Sequence, residues 1–348
     1  MDIKMNSLPA FTFGWLKMNE SKVTGLEAGH EIQPTEKLPE KLSFTKEKNA
    51  ALESIATGGG KGVDYLVKAS GSDRKIFTLA RDQKEREPFR MEFSLEGHQK
   101  SSVNPYGFEL GENAELTVIM EFSSRKKASA SAAVQSKIHL AKNARMTLVQ
   151  IFRLGDEDRM INDIGAYLEE DACFHVIHIF LSGKEIYQGC KATLFGERSE
   201  MHANIGYEVK KDHLLDMNYV ADQIGKKTIS EMKVNGVLRE EARKLFRGTI
   251  DFKNGCAGSV GDEAEDVLLI DEDVVNQTIP LILCAEEDVV GNHGASIGRI
   301  DEEVQFYMQS RGLAVEEIYD IMAKARIDSV INMIPDEQTV KKLLDECL

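Results

Sequence analysis

From about residue 110 the chain alternates apolar and polar positions with a period of two, and the alternation comes in matching units. Leu110-Gly-Glu-Asn-Ala114-Glu-Leu116-Thr-Val118 recurs as Leu140-Ala-Lys-Asn-Ala144-Arg-Met146-Thr-Leu148, and again as Leu168-Glu-Glu-Asp-Ala172-Cys-Phe174-His-Val176. A further copy with one extra residue runs from Leu194 to Met201 and Ala203, so the units start 30, 28 and 26 residues apart. Each unit reads as a turn followed by a strand. Asn or Asp before Ala tolerates the tight backbone, and the period-two apolar positions then share one face. Second alternating runs lie between the units, at Ala133 to Leu140 and Lys184 to Leu194. Two short strands per unit without hairpin-type Asn-Gly turns predict strands that stack on their own copies one coil later, a parallel β-helix. The leucine-rich template is missing, and an antiparallel sandwich is the alternative architecture.

The period changes after Ile300. Asp301 is placed to cap a helix running to Ser310 or Arg311, with Gly312 as terminator. The next helix puts Ile318, Ile321, Met322, Ala325, Ser329 and Val330 on one face and ends before Pro335. A last short helix carries Val340, Leu343, Leu344 and Cys347. Before the repeats, Phe11, Phe13, Trp15 and Leu16 form an aromatic cluster followed by a Glu/Lys-rich stretch. The expected organisation is therefore a mixed region at 1–75, a β-helix at 76–300 and a helical region at 301–348. The fold class is mainly β.

Charge narrows the function. Lys and Arg number 43 against 58 Asp and Glu, a formal net charge of −15. Such a surface repels phosphate backbones and anionic lipid, so no nucleic-acid or membrane partner is expected. Met1 to Leu26 shows no basic segment followed by an apolar run, and no stretch has the length of a spanning helix. Cys173, Cys190, Cys256, Cys284 and Cys347 are odd in number, widely spaced and free of C-x-x-C, which fits reduced thiols in the cytoplasm.

Candidate chemistry is sparse. Thr57-Gly58-Gly59-Gly60-Lys61-Gly62 has neither the spacing nor the Ser/Thr of a phosphate-binding loop and reads as a flexible loop. His175 and His178, three apart in a strand, point to opposite faces and cannot share a metal. His30, His98, His139, His202 and His213 have no ligand-type neighbours at useful spacing and read as surface or hydrogen-bonded histidines. Cys173 and Cys190 read as small core residues. His293 stands apart in Gly291-Asn-His293-Gly-Ala-Ser-Ile-Gly-Arg-Ile300-Asp301, because small neighbours leave its ring approachable by a ligand or partner chain. Cys284, nine residues earlier, is a second and weaker ligand candidate. Neither can hold a cluster alone, since a stable one takes four thiolates or a Cys/His set. No nucleophile triad, catalytic carboxylate pair or zinc motif is present, so no enzymatic activity is expected.

Ile279-Pro280-Leu281, Glu287-Asp-Val-Val290, His293 to Asp301, Phe306-Tyr307 and Ser310-Arg311-Gly312-Leu313 form an ordered series. With Asp216-Met-Asn-Tyr219, Phe246-Arg-Gly-Thr-Ile250 and Phe13-Gly-Trp15-Leu16-Lys17, it resembles the SufB/SufD family of the SUF iron–sulfur cluster assembly system. The resemblance is good over 200–348 and looser elsewhere. It implies a right-handed parallel β-helix with a helical C-terminal region, and strands rather than a helix at Arg239 to Phe246. It also implies that the C-terminal region, with Phe306, Tyr307, Arg311, Gly312 and Leu313, docks on a SufC-type ATPase, which alone binds ATP. A second family chain would pair through the β-helix end. SufB members carry a cysteine where alignment on Pro280 puts Val274, and they have Glu where this chain has His293. Both differences are SufD-like. The expected role is a non-enzymatic cytoplasmic scaffold whose His293 helps hold an iron–sulfur cluster transiently at a shared interface, with a SufB-type subunit or a second copy of itself. The alternatives are a homodimeric scaffold in a two-component system and, more remotely, a carbohydrate-active β-helix enzyme.

Overall fold

The computed structural model describes every residue except 12–13, 30, 48, 96–100, 125–128 and 347–348. Phe13, His30, His98 and Cys347 therefore lie outside the described residues. Two nine-stranded sheets face each other, and the chain visits them alternately. The first contains Lys75–Leu79, Ser101–Leu110, Ser131–Leu140, Arg159–Leu168, Glu185–Leu194, Leu214–Gln223, Arg243–Phe252 and Val275–Cys284, all paired in parallel. The second contains Phe89–Leu95, Glu115–Ser124, Arg145–Arg153, Cys173–Ser182, Glu200–Val209, Ile229–Leu238, Ser259–Leu269 and Val289–Gly298, likewise parallel. The result is the parallel β-solenoid that the repeats predict. Arg239 to Phe246 spans a turn and the start of a strand, not a helix.

The turns explain the repeat. Asn113, Asn143, Asp171, Arg198 and Lys227 all have φ between 56° and 59°, the left-handed conformation that Asn and Asp adopt most cheaply. The amide of each donates to a carbonyl one coil on, as from Asn113 to Lys142, Asn143 to Glu170 and Asp171 to Glu197. The side chains add to the ladder, with Asn143 Nδ2 donating to Asn113 Oδ1 at 2.8 Å. Inside, the in-register rings of Phe93, Phe122, Phe152 and Phe180 stack at centroid separations of 4.7, 4.9 and 4.8 Å. That spacing is the distance between hydrogen-bonded strands, so each coil repeats its neighbour's packing.

The two ends of the solenoid differ. At the N-terminal end, Thr35–Glu36 and Leu42–Thr45 add antiparallel edge strands, and Ile32 and Leu42 close the core. At the other end, among the described residues, no strand follows Val275–Cys284 or Val289–Gly298 in its sheet.

The outer faces are covered by the terminal regions. Helix Lys61–Ser70 buries Val63 and Leu66 against Val103, Ala133, Ile161 and Tyr187 of the first sheet. Helix Val315–Ile331 lies on the second, where Ile318, Ile327, Val330 and Ile331 meet Val149, Ile177, Ile179 and Val237. Each such aliphatic side chain contributes roughly 1.5–3 kcal/mol of burial. The buried face is rotated from the expected one: Ile321, Ala325 and Ser329 are exposed, and Ala323 and Ile327 are buried instead. The apolar stripe of Val149, Ile177, Ile179 and Val237 selects the face, overriding the simple periodicity. Helix Glu302–Ser310 starts at Asp301, whose carboxylate accepts from the amides of Glu303 and Val304, and a final helix spans Glu337–Glu346.

The Thr57–Gly62 segment is not a flexible loop. A Cβ on Gly58 would lie 2.0 Å from the Cys190 amide nitrogen, so only glycine lets the segment lie flat on strand Glu185–Leu194. The amides of Gly58 and Gly59 donate to Ile164 O and to Asp163 Oδ1. A helix rather than a strand precedes it, at Ala50–Ser54. Phe11 and Trp15 are exposed rather than clustered in a core.

Candidate functional site at the open end of the solenoid

Alternation along the last two strands sends one set of side chains inward, where the next coil would cover them. The register stacks Pro280, Ile282 and Cys284 over Gly248, Ile250 and Phe252. It likewise stacks Gly291, His293, Ala295 and Ile297 over Gly261, Glu263, Glu265 and Val267. In every earlier coil the equivalent positions are buried. Here Cys284, Gly291, His293, Ala295 and Ile297 are all exposed. The structure thus places His293 and Cys284 on facing sheets of one uncovered coil, both on its inward side. Gly291 rests on Phe252 and Ile282, whereas Gly294, beside His293, meets nothing on the outer face. Cys284 Sγ donates to Glu286 O at 3.0 Å.

The floor beneath these residues is charged, which is unusual for a solenoid interior. Lys244 and Glu265 form an ion pair with side chains 0% and 1% exposed. Thr278 Oγ1 links them, accepting from Lys244 Nζ at 2.8 Å and donating to Glu265 Oε2 at 2.6 Å. Glu263, the register partner of His293, is buried beside them. Burial, reinforced by the neighbouring Glu265 carboxylate and opposed by Lys244, pushes the Glu263 carboxyl up to about 8. Burial also lowers the Lys244 ammonium, with Glu265 opposing the shift. Gly248 makes this layer possible, since a Cβ there would lie 2.1 Å from Glu263 Oε2. A protonated carboxyl, an ion pair and a hydroxyl under an exposed imidazole and thiol give the end donors, acceptors and soft ligands together. Among the described residues, no three Cys, His or carboxylate groups converge at this end within one chain.

The other sequence candidates fall elsewhere. Phe306 is 73% exposed and Tyr307 57%, on a helix with no buried residue. Arg311 lies over the Tyr307 ring at 5.2 Å and donates to its hydroxyl. Gly312 turns the chain at φ 94°, and Leu313 packs half-buried against the apolar layer under the neighbouring helix. Val274 packs against the interior in the turn before the last coil. His178 and His175 do point to opposite faces. His178 is buried between Tyr219 OH and Gln150 Oε1, and His175 is bonded outside to Asn204.

Two expectations need correction. Cys173 is not a core residue: it sits half-buried on the outer face, whereas Cys190 is interior as expected. His202 does have ligand-type neighbours, Cys173 and Glu200. Glu200 shares a strand face with His202 two residues away, and parallel stacking brings Cys173 beside them from a full coil earlier, which linear spacing does not reveal. Sequence reasoning also missed Lys244, Glu263 and Glu265. Their signal was charge at inward positions of two alternating strands.

The remaining motif residues anchor the N-terminal segment. Arg247, fully buried, pairs with Asp216 at 2.8 Å and donates to Met18 O and Ser21 Oγ. Asn218 Nδ2 donates to Gly58 O at 2.9 Å.

Fold and site together define a parallel β-solenoid protein that is capped at one end and open at the other, with ligand-type side chains at the opening. The core domain of SUF-system FeS cluster assembly proteins, the SufBD core domain, matches residues 93–326, and the chain belongs to that family. Its relatives include the iron–sulfur cluster assembly protein SufD of Escherichia coli (strain K12), 24% identical over 80% of this chain and 67% of that protein. A SufBD family protein of Methanothermobacter thermautotrophicus (strain Delta H) is 25% identical over 88% of this chain and 73% of its own length. The SufD of Bacillus subtilis (strain 168) is 28% identical over 34% of this chain, a stretch that spans only 28% of that protein. Membership gives the chain a role in iron–sulfur cluster assembly. No helix among the described residues is long and apolar enough to cross a membrane.

Proposed function

We propose that the chain is a SufD-type, non-enzymatic scaffold of the cytoplasm that pairs through its open end with a SufB-type subunit. The pair holds a nascent iron–sulfur cluster as cargo. The observation that carries this reading is the uncovered last coil: two ten-residue edge strands with unpaired backbone groups, inward-facing His293 and Cys284, and a charged floor. Long bare edges are normally paired or covered. A ligand set incomplete in one chain suits a cluster bound between two. Imidazole is a weaker anchor than thiolate for cluster iron, which favours release of the product.

The helix carrying Phe306, Tyr307 and Arg311 is the docking surface for a SufC-type ATPase in this reading. Its aromatic side chains are exposed without supporting the fold, and aromatic and Arg anchors are typical of interface centres. Removing residues 301–348 would be a poor test, because Val315–Ile331 covers the apolar outer face of the second sheet. The better test is the mass of the complex assembled with both candidate partners. A ternary assembly containing one SufB-type chain, with the ATPase lost in a Phe306→Ser/Tyr307→Ser variant, supports the proposal. A stable homodimer that ignores the SufB-type chain favours the two-component alternative. Undiminished ATPase retention by the double variant rejects the docking surface.

A further inference from the structure

On the outer face of the second sheet, away from the open end, ligand-type side chains from neighbouring coils converge. Cys173 and Glu200 are direct partners in the register of Cys173–Ser182 with Glu200–Val209, and His202 follows two residues on, opposite His175. The thiol, carboxylate and imidazole atoms lie within 4.8 Å of one another, and all three side chains are half-buried. Glu200 approaches His202 Nε2 at 3.2 Å. On the next strand, Glu231 reaches the other ring nitrogen, Nδ1, at 3.3 Å. His175, edge-on to His202 at 6.2 Å, is already bonded to Asn204.

We propose that Cys173, Glu200 and His202 form a binding site for a divalent first-row transition-metal ion, with Zn²⁺ the best match, leaving one coordination position open. One soft thiolate, one imidazole and one carboxylate are a Zn²⁺ donor set, and three protein ligands are the usual number at a site with an open position. Metal–ligand bonds of about 2.0–2.3 Å put tetrahedral donors about 3.3–3.8 Å apart. The three atoms therefore need to close by only about 1 Å, through side-chain rotation on a rigid pair of hydrogen-bonded strands. Glu231 completes the arrangement: a carboxylate on the far nitrogen of a ligating histidine orients the ring and raises its basicity. The site lies at the margin of the C-terminal helix, since Gly206, four residues beyond His202 on the same face, packs against Val330. It points outward, separate from the inward-facing His293 and Cys284, and does not depend on the assembly reading.

The test uses the full chain stripped of metal and titrated with Co²⁺, a spectroscopic substitute for Zn²⁺. One equivalent should give a thiolate-to-cobalt charge-transfer band and the strong visible bands of a four-coordinate ion, both bleached by one equivalent of Zn²⁺. Cys173→Ser should abolish the charge-transfer band. Glu231→Gln should weaken Co²⁺ binding by about 10–100-fold. The circular dichroism of both variants should match wild type, because the substitutions leave the interior untouched. Cys284→Ser and His293→Ala should keep the full signal. A wild-type chain without the charge-transfer band, or a band that survives Cys173→Ser, overturns the proposal. So does a band lost in Cys284→Ser instead.

Discussion

Removing the Asp216 carboxylate should unfasten the N-terminal segment from the solenoid. Arg247 is fully buried, and Asp216 is its only anionic partner among the described residues, at 2.8 Å. The same carboxylate accepts from Asn6 Nδ2 at 2.7 Å and from Ser21 Oγ. In Asp216→Ala the guanidinium stays buried without a counter-charge, and two further donors lose their acceptor. Breaking a buried pair this way costs about 3–5 kcal/mol. Each orphaned neutral donor adds about 1 kcal/mol where water cannot replace the lost bond. Replacing both charged partners, as in Asp216→Leu/Arg247→Met, removes the stranded charge and should cost about 2 kcal/mol or less. Urea unfolding followed by circular dichroism gives the energies, and limited proteolysis near Met18 to Val23 reports release of the segment. A single-variant loss under 1 kcal/mol would refute the reasoning, and so would a double variant as costly as the sum of the two singles.

Two further outcomes are expected. Burial pushes the His178 imidazole down to about 3, so it stays neutral inside while the unfolded chain takes up a proton below about 6.5. Stability is therefore lost as pH falls through that window, by about 2–3 kcal/mol at pH 4.5, and His178→Gln should remove that part of the slope in urea unfolding measured from pH 7 to 4.5. Gly248→Ala should destabilise by about 1–3 kcal/mol through collision with the Glu263 carboxyl. Adding Glu263→Ala should recover part of the loss, and two strictly additive effects in the same assay would contradict the packing described here.

The solenoid was legible because its turns are chemically specific. Asn113, Asn143 and Asp171 mark left-handed positions, and the apolar residue on either side of each turn keeps the same phase. The copy starting at Leu194 blurs because Arg198 fills that position in a turn one residue longer. His293 was legible through its small neighbours, but the reason for its exposure was not. That reason is the missing next coil, a property of the sheet order rather than of local sequence. The charged floor of Lys244, Glu263 and Glu265 and the trio of Cys173, Glu200 and His202 join residues from different strands or coils, which composition and local spacing do not register. Gly58 shows the opposite failure: a glycine run read as freedom is a close approach of two backbones.

In the proposed role, the exposed imidazole at the open end takes part in holding the nascent cluster. The most direct test is the rate at which a His293→Ala chain supports maturation of iron–sulfur enzymes in cells that lack the wild-type copy. The expected variant folds, assembles with the same partners at the same stoichiometry, and matures those enzymes no faster than cells without the chain. Maturation at the wild-type rate would contradict it and leave His293 as no more than a residue of the last strand.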